Sequence, residues 1–391
     1  MTTPLTRRSF LGAAGVSIVG ACSGETAGAP ADTTAPADTS APPDDLPAPE
    51  DVGVDTAAPP EDLNVPPGMV AVSAVGIAAG DVEAAVTRAL VLAGGLEAIQ
   101  PGQTVFVKPN AVHPFLPEVA GIRTSGTVLG ALVKLLKARG ATVIVGDRCA
   151  RGFSSEAALN DSGLTEAARA AGADEVYGAP IPKNDPDAWV LVQPAGWEAT
   201  WDGLGGIQAL RKIVEADHFI NVAVCKDHRW GGFSLAMKNL IGAVGDESRD
   251  RMHYVANDVD KLSHDIVILN KAFNPLMNVI DAITCMVNGG PEGILGDEVI
   301  TAPGLILASS DRVALDALGV ALLQSEQART EVPAPDPVQE LLRTTVAWKL
   351  PQILRGAQEG VGVSRPEDVL LRFEGVAEPL ATDLEARFRA T

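Results

Sequence analysis

From about residue 68 onward the sequence repeats one pattern. A short continuous apolar run is followed by a turn, and then by about 10–15 residues with helical spacing. The runs are MVAVSAVG (69–76), TVFVKPN (104–110), ATVIVGD (141–147), HFINVAV (218–224), PLMNVIDAIT (275–284) and GLILASS (304–310), with DVLLRFEG (368–375) as a last edge strand. Between them lie helix-like segments. DVEAAVTRALVLAGG (81–95) starts on an Asp cap and stops on Gly, and SGTVLGALVKLLKARG (125–140) opens on Ser125 and closes on Gly140. Strands that are apolar throughout are strands covered on both faces, and strand–helix–strand order demands right-handed crossovers. The expected fold is therefore α/β, a mainly parallel sheet with helices on both faces. The stretch 173–206, with Trp189, Trp197 and Trp201, breaks the pattern and reads as two short strands or a small insertion lobe.

The residues before this domain have a different character. Residues 23–67 contain ten Asp/Glu, ten Pro and no Lys or Arg. Such a segment cannot bury enough apolar surface to offset the entropy of ordering, so it is expected to be a disordered, extended acidic Pro/Ala/Thr linker. Before it, Arg7-Arg8 and the apolar run GAAGVSIVGA form a twin-arginine pattern of signal-peptide proportions. The signal ends in Val19-Gly20-Ala21-Cys22, which resembles a lipobox with Cys22 as the lipidated residue. The expected organisation is a signal over 1–22, a linker over 23–67 and one domain over 68–391. The expected location is the periplasm or cell envelope, reached by the twin-arginine route, with the membrane touched only through a lipid anchor on Cys22. That route carries folded proteins, often with a cofactor already inserted.

The net charge of −20 divides accordingly into +2 for the signal, −10 for the linker and −12 for the domain. An acidic balance of this kind argues against nucleic acid as a partner, because phosphate neutralisation needs clustered Lys and Arg. Four cysteines in 391 residues exclude a small disulfide scaffold.

Chemically capable residues collect where the strands end, which is where open α/β sheets bind ligands. TVFV runs into Lys108, Asn110 and His113, TVIVG into Asp147-Arg148-Cys149, and INVAV into Cys225-Lys226-Asp227-His228. MNVI runs into Asp281, then Cys285 and the NGGPEG turn with Gly290 and Glu292. Lys108, Lys226 and Lys238 are candidate point charges for a carboxylate or phosphate, although each alone is more often a solvated surface Lys. Lys238 stands out because it lies in the apolar stretch SLAMKNLIG, where a charge must find a partner or shift its pKa. Asn110 and Asn239 can orient a ligand, and Gly290 and Glu292 belong to a turn that allows close backbone approach. His228 and His253 are candidate proton-transfer groups, with Asp281 orienting the His or binding a cation. Asp311 and Asp316 read as cap and surface residues. Cys149, Cys225, Cys285 and His228 could together hold a metal ion or an iron–sulfur cluster, although no CxxC spacing is present; the plain alternative is buried structural thiols.

These same segments resemble the DUF362 domain family, a domain of unknown function. The resemblance is carried by VFVKPN (105–110), INVAVCKDHRWGGFSLAMKNLIGAV (220–244), His253, VIDAITCMVNGGPEG (279–293) and LILASSDRVALDALG (305–319). It marks Lys108, Asn110, His228, Lys238, Asn239, Gly242, His253, Asp281, Gly290, Pro291, Gly293 and Asp311. Some relatives carry ferredoxin-type modules, which implies redox or cofactor-related work, but this chain lacks their CxxCxxC run. Two readings result: an envelope-tethered enzyme, redox or metal-assisted, acting on an anionic small molecule, and a non-catalytic lipoprotein binding a ligand or partner through the same cleft.

Overall fold

The computed structural model describes residues 63–115, 119–197, 205–254, 258–291 and 298–391, and of 251–254 the backbone only. The expected signal with Cys22, most of the expected linker, Glu292 and Gly293 lie outside these residues.

The chain runs from β1 (Val70–Gly76) through α1 (Val82–Leu92) to β2 (Thr104–Lys108), and through α2 (Gly126–Ala138) to β3 (Thr142–Asp147). Two short helices, α3 (Ser155–Asp161) and α4 (Leu164–Ala170), lead to β4 (Glu175–Gly178). A separate antiparallel ribbon follows, β5 (Trp189–Val192) with β6 (Ile207–Leu210), then α5 (Arg211–Glu215) and β7 (His218–His228). Next come β8 (Gly232–Ser234), the one-turn α6 (Ala236–Asn239), α7 (Asp246–Tyr254), α8 (Val259–Asn270) and β9 (Met277–Asn288). The chain finishes with β10 (Val299–Thr301), β11 (Leu305–Ser309), α9 (Arg312–Thr330), α10 (Pro337–Thr344), α11 (Pro351–Gln358), β12 (Val369–Glu374) and α12 (Glu378–Arg389).

The main sheet has the order β12-β1-β11-β9-β7-β2-β3-β4, with β8 and β10 added to β7 and β9. On that path all strands run one way except β11, which is antiparallel to both neighbours. The expected mainly parallel sheet is present. The irregular stretch 173–206 divides in two: β4 joins the edge of the main sheet, while the separate ribbon spans 189–210.

Alternation along the strands assigns the two faces. Val105, Val107, Val143 and Val145 pack with α1 and α2. Phe106 points the other way, with Ala223, Ile280 and Ala282, into a core built with α8, α9 and α11. The caps expected from the sequence are made, Asp81 to Ala84 N at 2.9 Å and Ser125 to Val128 N at 3.3 Å. No helix among the described residues is long and apolar enough to cross a membrane.

One feature of the order positions the site. From β2 the chain moves outward to β3 and β4, then returns to place β7 on the other side of β2 and moves on to β9 and β11. The crevice between β2 and β7 is thus a topological switch point, where crossovers leave on opposite faces and a cavity opens beyond the strand ends.

Candidate functional site

A cavity of about 580 Å³ lies at this switch point, within the range of small-molecule sites. Its floor begins at Lys108, the last residue of β2, which is 1% exposed. The Lys108 ammonium lies 2.8 Å from Asp147 Oδ1 and donates to Pro109 O at 3.0 Å and Asn239 Oδ1 at 3.3 Å. Burial pulls its pKa down, and the Asp147 carboxylate at the end of β3 opposes that pull. Asp147 Oδ2 also accepts from Ala111 N at 3.1 Å. Asn239 in turn donates to Asn221 Oδ1 at 2.8 Å, so α6 is tied to the centre of the sheet.

Gly242, in the KNLIG segment, makes this arrangement sterically possible. A Cβ there would stand 2.2 Å from Asp147 Oδ1 and 2.6 Å from Lys108 Nζ. Gly242→Ala is therefore expected to destabilise the domain by about 1–3 kcal/mol, the usual cost of forcing volume into a packed interior. Chemical denaturation of the variant beside wild type measures it, and a change under 0.5 kcal/mol would show that the pair shifts without cost.

The wall of the cavity is basic. Lys108, Arg148, Arg151, Lys226, Lys238 and Arg249 line it, against the carboxylates of Asp147 and Asp250. Several of these cations brace the scaffold. Arg148 pairs with Asp246 at 2.8 Å and donates to Phe153 O and Ser155 Oγ, each at 3.0 Å. Lys226 draws two loops together by donating to Ile122 O at 2.6 Å and Pro291 O at 3.0 Å. Arg249, on α7, spends Nη1 on the carbonyls of Arg148 and Cys149. Its Nε and Nη2 make no hydrogen bond with a described residue, although the residue is buried. Burial and the neighbouring Arg148 charge both push its pKa down, so an anion placed here would be stabilised. The Asn110 side-chain amide likewise lines the cavity with no described partner.

His228 ends β7 and lines the same cavity. Its Nδ1 accepts from Trp230 N at 3.2 Å and Gly231 N at 3.3 Å. A ring nitrogen that accepts from backbone amides carries no proton, so neutral His228 holds its proton on Nε2 and acts as a donor rather than a base. Gln339 of α10 fixes this turn by donating to His228 O and Gly232 O, each at 3.0 Å.

Of the residues expected at a site, Lys108, Asn110, Lys226, His228, Lys238, Asn239 and Cys149 line the one cavity. Asp281 does not: it accepts from Ser125 N at 2.7 Å and Ile283 N at 3.1 Å, so it anchors the start of α2 and does not orient His228. Ile280 and Ala282 face the α9 side of the sheet, so Asp281 between them points to the α2 side, and burial raises its pKa. Gly290 spends its N–H on Asp227 Oδ1 at 2.8 Å, and a Cβ there would lie 2.1 Å from Asp227 O. It serves chain packing, while the next residue, Pro291, reaches the cavity. The side chain of His253 and all of Glu292 lie outside the description.

The cysteines do not converge as one ligand set. Cys149 belongs to the core on the α2 face, whereas Cys225 and Cys285 neighbour one another in the opposite core. All three are buried thiols, and burial raises the pKa of Cys149 and of Cys285, the latter further through Cys225. Among the described residues no three His, Cys, Asp or Glu side chains are grouped to hold a metal.

Asp316 corrects another expectation. It is not a surface residue of α9 but wholly buried, accepting from Ala236 N at 2.7 Å, Met237 N at 3.1 Å and Gln352 Nε2 at 3.3 Å. It therefore holds the turn that presents Lys238 and Asn239. Asp311 caps α9 as expected and also accepts from Val363 N at 2.7 Å. Arg249, Arg151, Trp230 and Phe153 were not singled out from the sequence. The charge-dense run DESRDR (246–251) was the available signal for Arg249.

Fold and site together define a doubly wound α/β protein with a basic ligand cavity at the carboxyl ends of its strands. The chain belongs to the DUF362 family, described as a domain of unknown function, whose pattern matches residues 105–321, over half of the sequence. A thylakoid-associated protein of Synechocystis is 25% identical over 295 residues, covering 71% of this chain and 85% of that protein. Among solved structures, the lactate racemase apoprotein of Thermoanaerobacterium thermosaccharolyticum is 11% identical, with a TM-score of 0.37 over 82% of this chain and 88% of that one. A Thermotoga maritima protein is 14% identical, with a TM-score of 0.33, over 52% of this chain and 50% of that one.

Proposed function

We propose that this is an envelope-tethered protein that binds an anionic small molecule in the switch-point cavity and acts on it as an enzyme, with His228 as a hydrogen-bond donor to it. The observation that carries the reading is the excess of six Lys/Arg over two Asp around one cavity, in a chain of net charge −20. Arg249 supplies unspent guanidinium donors, Lys238 a point charge, Asn110 an orienting amide and His228 an Nε2–H, and all four line that cavity. The twin-arginine pattern and Cys22 support a location outside the cytoplasm on a lipid anchor, with the acidic segment as its tether.

The test is thermal unfolding and calorimetry of the full chain with inorganic phosphate, oxalate and citrate, against chloride at equal ionic strength. A bound anion at a hundred times its Kd is expected to stabilise the fold by about 2.7 kcal/mol. Arg249→Gln is expected to weaken binding about tenfold, corresponding to roughly 1.4 kcal/mol for a lost charge-assisted hydrogen bond. Equal behaviour in all salts, for wild type and variant alike, would overturn the reading.

A further inference from the structure

The cavity has a second chemical character that the anion reading does not use. Among the described residues, five large hydrophobic side chains are exposed: Phe115, Phe153, Leu191, Val214 and Trp230. Two of them, Phe153 at 38% and Trp230 at 48%, line this one cavity. Phe115, at 82%, sits two residues from His113, which also lines it. In a chain with only 4% aromatic residues, this concentration of apolar rings beside a basic wall marks a surface kept for a partner.

The rings are held in place rather than left loose. His113 stacks on Phe153 with centroids 4.8 Å apart and planes 13° from parallel. The His113 Nδ1 lies 2.6 Å from Pro114 O, which fixes its rotation. Trp230 stands 5.7 Å from the His228 ring, and the Arg229 guanidinium carbon is 5.7 Å from the indole centroid. Rings held by their neighbours in this way lose little side-chain entropy when a flat molecule packs on them. Arg249, Lys238 and His228 line the same cavity.

We infer that the ligand is a planar aromatic ring joined to a phosphate or carboxylate, its ring received by Trp230 and Phe153 and its anionic end by Arg249 and Lys238. The inference rests on the anion-binding reading and narrows it to one substrate class. The volume of about 580 Å³ accommodates such a molecule whole, whereas a bare inorganic anion leaves the aromatic end unused.

The experiment is calorimetry on the full chain with four probes: 1-naphthyl phosphate, glycerol 1-phosphate, inorganic phosphate and uncharged 1-naphthol. The aromatic phosphate is expected to bind at least about tenfold more tightly than glycerol phosphate, as one good ring–ring contact allows. Trp230→Ala and Phe153→Ala, both at half-exposed positions, are expected to remove most of that preference while leaving glycerol phosphate within twofold. Quenching of tryptophan fluorescence by 1-naphthyl phosphate is expected to diminish in Trp230→Ala. Equal affinity for the aromatic and aliphatic phosphates, unchanged in both variants, would overturn the inference and leave the anion site standing. If none of the phosphates binds, the anion reading falls with it. Tight binding of 1-naphthol without any phosphate preference would likewise overturn both.

Discussion

Lys108→Met is expected to lower the stability of the domain by about 3–5 kcal/mol, the cost of leaving a buried carboxylate without its cation. Lys108 and Asp147 are 1% and 3% exposed and 2.8 Å apart, so water cannot take over the missing partner. The loss extends beyond the pair. Lys108 also holds Pro109 O and Asn239 Oδ1, and Asn239 connects through Asn221 to the strand centre. The double variant Lys108→Met with Asp147→Asn removes both charges and keeps an oxygen for the Ala111 N–H. It is expected to recover most of the lost stability, a coupling of several kcal/mol in a double-mutant cycle. Denaturant unfolding of wild type, both singles and the double gives the four corners. Additive single effects would mean the pair is not a unit, and the cavity floor would need another explanation.

That floor explains how much of the site was legible in advance. Apolar runs separated by helix-length segments define a parallel sheet, and a parallel sheet delivers the residues after each strand to one end. Lys108, Lys226 and His228 follow from that rule alone. Lys238 followed from a charge in an apolar stretch, and it does reach the cavity. What the sequence did not carry was side-chain direction at strand ends. Asp281 and Asp147 both close apolar runs and share the face of Val279, Val143 and Val145, yet one accepts from Ser125 N at the start of α2 and the other pairs with Lys108, a difference made by neighbours distant in sequence that alternation does not reveal. Arg249 was missed for a different reason. Its helix α7 has no apolar stripe to announce it, and its role depends on Arg148 and Cys149, about a hundred residues earlier. Asp316 reads as a surface residue in the sequence because helical periodicity cannot show that α9 is covered on nearly every side.

The burial of Asp316 yields the second large expectation, a dependence of stability on pH with a definite sign. Desolvation raises its pKa from the usual carboxylate value to about 7, against the opposing hydrogen bonds from Met237 and Ala236 and the Arg312 charge. The unfolded chain releases this proton near pH 4, so between about pH 4 and 7 the folded state binds the extra proton. Stability must then fall as pH rises through that window, by roughly 1.4 kcal/mol for each unit of the shift. The contribution is on the order of 4 kcal/mol and is fully expressed above pH 7. Asp281 and Asp311, also raised by burial, add in the same direction. Asp316→Asn keeps a side chain of the same shape without the ionisable group, its one oxygen accepting from Ala236 N and its amide donating to Gln352 Oε1 once that side chain turns over, at a pH-independent cost at Met237 N. The difference in unfolding free energy between wild type and Asp316→Asn is expected to change by several kcal/mol between pH 4.5 and pH 8, with wild type losing ground as pH rises. A difference constant across that range would show that Asp316 is ionised throughout. Because Asp316 accepts from Ala236 and Met237, its protonation is coupled to the turn that carries Lys238 and Asn239, and the anion affinity of the cavity is expected to change over the same interval.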